Sequence, residues 1–493
     1  MGEIRKQSIT GTIYTFVGVV VGFFTSAIIF PRILDPDEIG LLGILISYSL
    51  LFSQFASFGF MSTTTRMFPY FRDKQKKHHG FLFLSIMVAI TGFVLATVVF
   101  ILLEPNLSDA GEGKSQLFGE FSYFIIPLVF FTLFFNIIDS YTKALYNAVR
   151  GTVQREFVKR ILILLIIPFY YLKWISFEQF VLLYVIANCL PTVFLIIPLI
   201  RDGDFSLKPD FAFLDKEMLK TMMSVGVFGI IISATGVITL SLDRIMIESF
   251  LGLSKTGIYS TAFFFGTLVI LPARSVNKIT STFVAEAWKN NDRKMLDDIY
   301  YKSSLNQFIV GLLLLAGIWA NIDNVMLILT DKFIEGKYVI LFIGLAYLTD
   351  MVAGSSAGIL GTSKKYRLQA LFMVIMVILI IITNYLFIPV WGIVGAAFAS
   401  FISKLAFNLM RFIYLWIRFK MQPYNYKYIM VIVIALTSYL AAHFIPVLPN
   451  FIIDIILRGG VLLIVFAGLI LLFNISSDIN EQYLRYRKKI LKF

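Results

Sequence analysis

The feature that most constrains this sequence is its succession of long apolar runs. A helix rises about 1.5 Å per residue, so about 20 apolar residues cross the roughly 30 Å of hydrocarbon in a bilayer. Backbone groups in lipid find no water to bond, so the runs are predicted to be helices in an all-α polytopic membrane protein. We count about fourteen spans, at 12–33, 39–65, 80–103, 121–144, 157–172, 180–200, 222–251, 257–279, 305–320, 339–360, 368–387, 393–417, 428–444 and 451–473.

Composition excludes the main soluble classes. Hydrophobic residues make up 58% of the 493 residues and charged residues only 15%, whereas a globular chain carries about 25% charged residues. A soluble enzyme, a disordered protein and a disulfide-stapled secreted domain are therefore excluded. Cys189 is the only cysteine, so no disulfide can form within the chain.

The positive charges indicate topology. Of the 43 Lys and Arg residues, 35 lie in or beside segments that are inner if the N-terminus is inside. Six lie in outer loops, and Arg244 and Arg458 lie within spans. This asymmetry predicts N-in, C-in topology. The expected location is the plasma (inner) membrane. The net charge of +13 then matches membrane lipids with anionic headgroups, and we expect no nucleic-acid partner.

The two halves of the chain resemble each other. Residues 34–41 align with 251–258 at an offset of 217, and each segment joins two apolar spans. In the first copy Asp35 suits an N-cap, Pro36 the first helical position and Glu38 a capping box. Because six spans separate the copies, we predict two pseudo-symmetric six-helix lobes of equal orientation. The predicted organisation is a lobe at 1–200, a cytoplasmic linker at 201–221, a lobe at 222–420, and two additional helices with a basic tail at 421–493.

Motifs for enzymatic chemistry are weak. Gly113-Lys114-Ser115 lacks the upstream glycine of a Walker A loop. Asp202-Gly203-Asp204 has the form of a sugar-transferase metal motif, but it fits a helix-ending turn better. The three histidines lack metal-ligand spacing. We therefore predict a protein that is not an enzyme and has no catalytic residues, metal site or cofactor.

Charges inside the spans are candidate functional residues, because lipid makes them costly. Asp139 and Lys143 stand four residues apart, a spacing that lets each neutralise the other on one helix face. The same spacing separates Arg244 from Glu248, with Asp243 alongside, and Asp454 from Arg458. For the last pair we favour structural neutralisation. For the other two, neutralisation and function stay open.

A lone acid and two cations differ from those pairs. Asp350 has no base within four residues, so it is expected either to pair across helices or to serve as a coupling site for an ion or proton. Arg274 and Lys278 are four apart and alike in charge, so they cannot neutralise each other. They are either inner-side anchors or a docking point for an anionic headgroup. The same alternatives hold for Arg66, at the inner end of span two.

Several segments resemble a known family. The sequence resembles polysaccharide-biosynthesis membrane proteins, which are flippases of lipid-linked oligosaccharides in the multidrug/oligosaccharidyl-lipid/polysaccharide exporter superfamily. The resemblance extends over nearly the whole chain. It rests on Phe30-Pro31-Arg32-Ile33-Leu34-Asp35-Pro36-Asp37-Glu38-Ile39-Gly40, Phe58-Gly59-Phe60-Met61-Ser62-Thr63, Leu242-Asp243-Arg244-Ile245-Met246-Ile247, Gly257-Ile258-Tyr259-Ser260 and Ile388-Pro389-Val390-Trp391-Gly392-Ile393-Val394-Gly395-Ala396-Ala397.

The resemblance implies two six-helix lobes, a central cavity, two extra C-terminal helices and alternating access driven by an ion gradient or membrane potential. It implies a substrate in which an oligosaccharide is joined to a polyprenyl pyrophosphate. Many relatives carry a base where this chain has Phe264. We therefore expect the substrate to bind at other cations, namely Arg66, Arg244, Arg274, Lys278 and Lys143.

The sequence thus predicts a flippase for lipid-linked oligosaccharide, acting from the inner to the outer leaflet in export of surface polysaccharide such as lipopolysaccharide O-antigen or capsule. Asp139, Asp243 and Asp350 are the predicted coupling or ion-pair residues. Polysaccharide polymerase or assembly proteins are possible partners. The alternatives are an ion-coupled drug or small-solute exporter of the same fold and, with less support, a polysaccharide polymerase or ligase.

Overall fold

A computed structural model describes the backbone of residues 2–108 and 116–490. All regular secondary structure in these residues is helical, with no strand. The α-helices are α1 (Gly2–Phe23), α2 (Phe30–Ile33), α3 (Pro36–Ala56), α4 (Phe60–Phe71), α5 (Phe81–Ser108), α6 (Gln116–Phe121), α7 (Ile125–Ala144), α8 (Ala148–Val153), α9 (Lys159–Tyr171), α10 (Phe177–Arg201), α11 (Lys216–Thr267), α12 (Leu271–Lys289), α13 (Arg293–Ala320), α14 (Ile322–Leu329), α15 (Lys337–Val352), α16 (Ser356–Thr362), α17 (Tyr366–Phe419), α18 (Tyr426–His443), α19 (Phe451–Leu472) and α20 (Ser477–Ile490).

Two π-helical turns join successive α-helices. Phe24–Ile29 joins α1 to α2, and Gln154–Val158 joins α8 to α9. The 3₁₀ turns lie at Lys77–Gly80, Ser122–Phe124, Phe211–Phe213, Leu268–Ile270 and Asp331–Gly336. A π-turn adds a residue to a helical turn and often marks a functional segment.

Ten helical stretches of the described chain are long and apolar enough to cross a membrane, or eleven if α15 and α16, bent by 53°, form one span. The all-helical membrane fold is therefore confirmed, whereas the count of fourteen and the N-in topology stay predictions. Two stretches are much longer than one span: α17 alone has 54 residues, or about 80 Å. Each of α11 and α17 is broken at a glycine, Gly252 (φ 83°) and Gly392 (φ 58°), a conformation that side chains resist.

Two predicted spans differ in detail. Span two, predicted as continuous over 39–65, is divided into α3 and α4 by Phe58 and Gly59, both with positive φ. Gly59 is required there, because a Cβ would strike the backbone of Gly226. Span five, predicted at 157–172, belongs to a longer helical segment that begins at α8 and is not among the ten apolar stretches.

Chain contacts divide the protein into two compact units, Met1–Ser260 and Thr261–Phe493. The first has an aromatic core in which Phe81 packs edge-on against Phe68 and Phe71. The second has a core of aliphatic and aromatic side chains around Tyr300 and Leu360. The lobes predicted at 1–200 and 222–420 stay predictions.

The predicted cap of α3 is present. Glu38 accepts a hydrogen bond from the Asp35 backbone N–H at 2.9 Å, and Pro36 opens the helix. The Tyr170 hydroxyl donates to the other Glu38 oxygen at 3.2 Å. The capping acid thereby also links the start of α3 to the end of α9.

Candidate functional site

Charged side chains meet where α7 packs against the segment formed by α8, the π-turn and α9. Asp139 of α7 is buried, and one carboxylate oxygen pairs with Lys143 Nζ at 2.7 Å and lies 3.5 Å from an Arg155 guanidinium nitrogen. That guanidinium also donates to Asn136 Oδ1 at 2.6 Å and lies over the Phe135 ring. Asp139 therefore holds two cations, one from each side of the helix contact.

A second set of charges lies one turn further along the same segment, against α1. Arg160 pairs with Glu156 at 3.0 Å and donates to the Gly18 carbonyl. A Cβ on Gly18 would strike the Glu156 backbone, and one on Gly22 would strike the Arg160 guanidinium. The two glycines thus let the charged segment approach α1 closely, as small residues four apart do in membrane helices.

Lys159 lies between these two sets. It is partly buried, and its charge interacts with Arg155, Glu156 and Arg160. With the residues that the structure describes, it forms neither a hydrogen bond nor an ion pair. An ammonium group in this position is available to an anion.

We name Lys143, Arg155, Lys159 and Arg160 the basic cluster; Asp139 and Glu156 are its two acids. With all groups ionised the set has two more positive than negative charges. A net positive charge among partly buried side chains is less costly when an anion compensates it. The arrangement is suited to binding an anionic group, and phosphate oxygens are the preferred partners of such cations.

Within the cluster, spacing along the chain predicts Lys143 and its pairing with Asp139. Arg155, Lys159 and Arg160 were predicted only as inner-side charges. The available signal was their spacing: residues 155, 159 and 160 fall within about one and a half turns. Such spacing places neighbouring charges on adjoining faces of one helix.

Three predicted binding residues are exposed cations on other helices: Arg66 on α4, and Arg274 and Lys278 on α12. Throughout the described chain, none of the three makes a hydrogen bond or an ion pair. Arg274 and Lys278 lie one turn apart, as their spacing predicts. The role of all three in binding stays a prediction.

Arg244 and Asp243 lie on α11. Arg244 Nε donates to Ser260 Oγ at 3.1 Å, and the buried Asp243 accepts from the Tyr259 hydroxyl at 2.6 Å. Glu248 is also buried on α11. Arg244 and Asp243 are thus both tied to the helical stretch after Gly252, and their roles in binding and coupling stay predictions.

Asp350 pairs across helices, one of the two expectations from its sequence. Lys404 Nζ lies 2.5 Å from one Asp350 oxygen, and the Asn408 amide donates to the other at 2.9 Å. Lys404 also lies over the Tyr347 ring at 4.5 Å. Arg411 donates to Asn408 and has a buried Nε without a partner among the described residues. The second unit therefore contains its own partly buried charge network, and a coupling role for Asp350 stays a prediction.

Asp454 and Arg458 form the predicted pair, 2.6 Å apart and almost fully buried. Asn324 and the Leu448 N–H also donate to Asp454, while Arg458 donates to the carbonyls of Ala442 and Ile445. These hydrogen bonds link α19 to α14 and to the end of α18. This is the arrangement that structural neutralisation requires.

The weak motifs have local explanations. Gly203, with φ 74°, forms the turn that ends α10, and Asp202 pairs with Arg150 at 2.6 Å. No group of three potential metal ligands occurs in the part of the chain that the structure describes. Lys114 and the rest of the Walker A-like stretch at 113–115 lie outside the described residues.

His78, in the segment between α4 and α5, is buried beside Phe68 and Tyr141. Neither ring nitrogen has a hydrogen-bond partner among the described residues. Burial lowers the pKa of His78, and Asp204 opposes this shift only in part.

His79 instead pairs with Asp210 at 2.8 Å and stacks on Phe213. Both histidines thus contribute to packing of the linker.

An apolar cavity of about 320 Å³ lies between α7 and α10. It is lined by apolar side chains, among them Phe131, Val185, Ile186 and Cys189. Its lining offers no partner for a charged headgroup, so it is chemically separate from the basic cluster.

Comparison with known proteins gives a family match and a fold match. The family model described as polysaccharide biosynthesis protein matches residues 8–284, more than half of the chain. Curated proteins supply no significant sequence match.

Solved structures share the fold at low sequence identity. The inward closed conformation of the lipid II flippase MurJ is 15% identical with a TM-score of 0.75, and the match covers 95% of this chain and all of that one. An inward-facing multidrug resistance MATE family transporter of the MOP superfamily is 14% identical with a TM-score of 0.66, covering 83% of this chain and 94% of that one. A MOP superfamily transporter from Pyrococcus furiosus is 13% identical, with a TM-score of 0.51 and coverages of 85% and 93%. The chain therefore has the fold of these transporters.

Proposed function

This chain belongs to the polysaccharide biosynthesis protein family, and from that premise we propose that it is a flippase for a polyprenyl-pyrophosphate-linked oligosaccharide. It moves the headgroup from the inner to the outer leaflet of the plasma membrane while the lipid tail stays in hydrocarbon. The product serves surface polysaccharide, of which O-antigen and capsule are the candidate forms. Polymerase and assembly proteins act on it afterwards.

The observation that supports this proposal is the basic cluster. A polar, anionic headgroup cannot cross hydrocarbon alone, and cations at span depth lower the cost of its passage. Lys159 has no hydrogen-bond or ion-pair partner within the described residues, whereas Arg155 and Arg160 are each held in position by an acid. Such a site, with two oriented guanidinium groups and the ammonium group of Lys159, suits a headgroup that must bind and later dissociate.

Transport by this fold needs two access states and a source of energy. We propose that the energy comes from an ion gradient or the membrane potential, with Asp350 as the coupling acid. Its carboxylate accepts from Lys404 and Asn408, both N–H donors. Protonation of Asp350 would release Lys404, so a proton suits this site better than a metal cation, which requires oxygen ligands.

The test follows lipid-linked oligosaccharide in cells depleted of this protein and asks which leaflet contains it. We expect accumulation on the inner leaflet and loss of surface polysaccharide. Normal delivery to the outer leaflet with unpolymerised or unligated glycan would contradict the proposal and favour an enzyme. Unchanged glycan together with new sensitivity to cationic dyes would favour a drug or small-solute exporter.

A further inference from the structure

We infer that α20, at Ser477–Ile490, is a membrane-surface helix that binds phospholipids with anionic headgroups on the inner side of the membrane. The inference does not depend on the proposed function, because it concerns a surface outside both the basic cluster and the apolar spans. It identifies the partner by its chemistry, as a bilayer surface with negative charge.

The start of α20 lies close to the end of a membrane span. The preceding helix, α19, has 22 residues and is therefore about 33 Å long, close to the hydrocarbon thickness of a bilayer. Only residues 473–476 separate α19 from α20. The predicted topology places this end of α19 on the inner side. α20 therefore begins near the level of the inner headgroups.

Hydrogen bonds hold the start of α20 in place. Asn306 of α13 accepts from Ser476 Oγ at 2.7 Å and donates to an Asp478 carboxylate oxygen at 2.8 Å. Lys427 of α18 donates to the carbonyl of Ile475 at 2.8 Å. Ile475 and Ser476 are both buried. The first turn of α20 is thus attached to two other helices, and the rest of α20 continues from a fixed point.

One face of α20 is apolar. Ile479, Tyr483, Tyr486 and Ile490 are separated by four, three and four residues, so the helical period places these positions within a sector of about 60°. Ile479 is half-buried, whereas the Tyr483 side chain is 46% exposed. Tyrosine is enriched at membrane interfaces because its ring is apolar and its hydroxyl is polar. The exposed part of this face is therefore suited to lie among lipid headgroups.

The second half of α20 is strongly basic. Four of its last six residues are bases and none is an acid, the bases being Arg485, Arg487, Lys488 and Lys489. The helical period places Arg487 and Lys489 on either side of the apolar face, about 70–90° from its centre. Glu481 pairs with Arg485 at 3.7 Å, but both side chains are largely exposed, so this pair contributes little. Clustered bases on an amphipathic helix attract anionic headgroups.

A membrane surface accounts for the apolar face and the bases together. A helix of low mean hydropathy with an apolar face and a basic face lies in the plane of the interface, where its apolar side chains enter the bilayer and its bases meet the headgroups. An acidic protein could match the charges alone. Because α20 begins beside the end of a span, lipid headgroups are the nearest anions to its bases.

Fluorescence of the full-length protein in vesicles tests the inference. A charged thiol reagent attaches an environment-sensitive dye to Tyr483→Cys before reconstitution. Cys189 is buried, and the unmodified protein treated in the same way gives the background. The vesicles contain phosphatidylcholine alone or mixed with phosphatidylglycerol, together with phospholipids brominated on the acyl chains, which quench a dye that enters the bilayer. Both leaflets have the same composition, so the orientation of the protein does not affect the result.

The main variant replaces the four bases of α20 with glutamine in the Tyr483→Cys protein. A matched control makes the same change of charge at four exposed lysines on other helices, namely Lys216, Lys220, Lys289 and Lys294. Thermal unfolding of each variant in detergent shows whether it is folded.

We expect phosphatidylglycerol to increase quenching of the dye at low salt. The main variant and high salt should each abolish this increase, because the attraction depends on the bases and is screened by ions. The control variant should retain it. Equally weak quenching in all vesicles would overturn the inference and favour a protein partner for α20.

Equally strong quenching with and without phosphatidylglycerol would also overturn the inference, since apolar contact alone would then hold the helix at the bilayer. The same holds if the main variant retains the increase. The result is separate from the leaflet assay of the proposed function. A charge-dependent increase in a protein that does not translocate oligosaccharide would support the surface helix and contradict only the flippase.

Discussion

Gly40 and Gly257 lie against each other where α3 crosses the part of α11 that follows Gly252. A Cβ on Gly40 would overlap the carbonyl of Leu253, and a Cβ on Gly257 would overlap the carbonyl of Pro36. Both pairs of equivalent positions, 36 with 253 and 40 with 257, obey the offset of 217 found in the sequence. One turn on, a Cβ on Gly43 would lie 3.3 Å from Oγ of Ser260, its own equivalent. The two similar segments therefore contact each other through their equivalent residues.

This contact predicts that side chains at the crossing are not tolerated. Gly40→Leu and Gly257→Leu should each lower the free energy of unfolding by about 1–3 kcal/mol, the usual cost of overpacking, and should abolish transport. Thermal unfolding in detergent and a transport assay measure the two effects. Gly317→Ala is the control, because nothing lies within 4 Å of a Cβ there. Normal stability and transport in both leucine variants would show that the helices need not meet so closely.

The fold was predictable where local chemistry decides the structure. The cap formed by Asp35 and Glu38 follows from four consecutive residues, and the breaks at Gly252 and Gly392 fall between predicted apolar spans. The helical segment from Ala148 to Tyr171 was only partly predictable. Its inner half contains four bases and an acid, and this low hydropathy predicts a loop. It packs against α1 at Gly18 and Gly22, a tertiary contact that no local pattern shows.

The candidate site was predictable only where its residues lie on one helix. Spacing within one helix revealed the pair of Asp139 and Lys143, because residues four apart share a face. Arg155 joins that pair from another helix, and spacing along the chain contains no information about such a meeting. Asp350 shows the converse: the lack of a base on its own helix correctly indicated a partner elsewhere, although it did not identify Lys404.

Loss of the Asp139 carboxylate should destabilise the first unit. Asp139→Asn leaves Lys143 and Arg155 without their acid, and we expect a loss of about 1–3 kcal/mol because both cations remain partly exposed to solvent. Thermal unfolding measures the change. Asp298→Asn, which removes an exposed pair with Lys302, should cost less than about 1 kcal/mol. Equal effects of the two substitutions would mean that the buried position of Asp139 has no special importance.

Asp350 and Lys404 should be energetically coupled. Asp350→Asn leaves the Lys404 ammonium group without its carboxylate and should destabilise the protein more than the double variant with Lys404→Gln, in which both charges of this pair are removed. A double-mutant cycle by thermal unfolding gives the interaction energy. If Asp350 is the coupling acid, the double variant should fold but lose the response of transport to an imposed ion gradient. Additive effects and an unchanged response would exclude both roles.

The buried His78 predicts acid sensitivity. Burial lowers its pKa from the ordinary value of 6.5, Arg72 and Lys74 act in the same direction, and Asp204 and Asp73 oppose them. A lowered pKa means that folding disfavours the charged ring, so stability is complete above about pH 6.5 and falls as the pH drops through the lower value. His78→Phe keeps a ring beside Phe68 and Tyr141 and removes the titration. Its melting temperature should therefore fall less than that of the unmodified protein between pH 8 and pH 5.5, and equal falls would exclude His78 as the sensitive group.

Arg274 and Lys278 test whether exposed cations outside the basic cluster also serve transport. They are like charges one turn apart on α12, and neither has a hydrogen-bond or ion-pair partner in residues 2–108 and 116–490. Replacing both with alanine should change the free energy of unfolding by less than about 0.5 kcal/mol, because no hydrogen bond or ion pair within the described residues is lost. If they dock the headgroup, the double variant should insert normally and fail to transport, whereas replacing Lys294, an exposed lysine on α13, should have no effect. Normal transport by the double variant would show that the two residues only anchor α12 at the membrane surface. The basic cluster would then stay the candidate binding site.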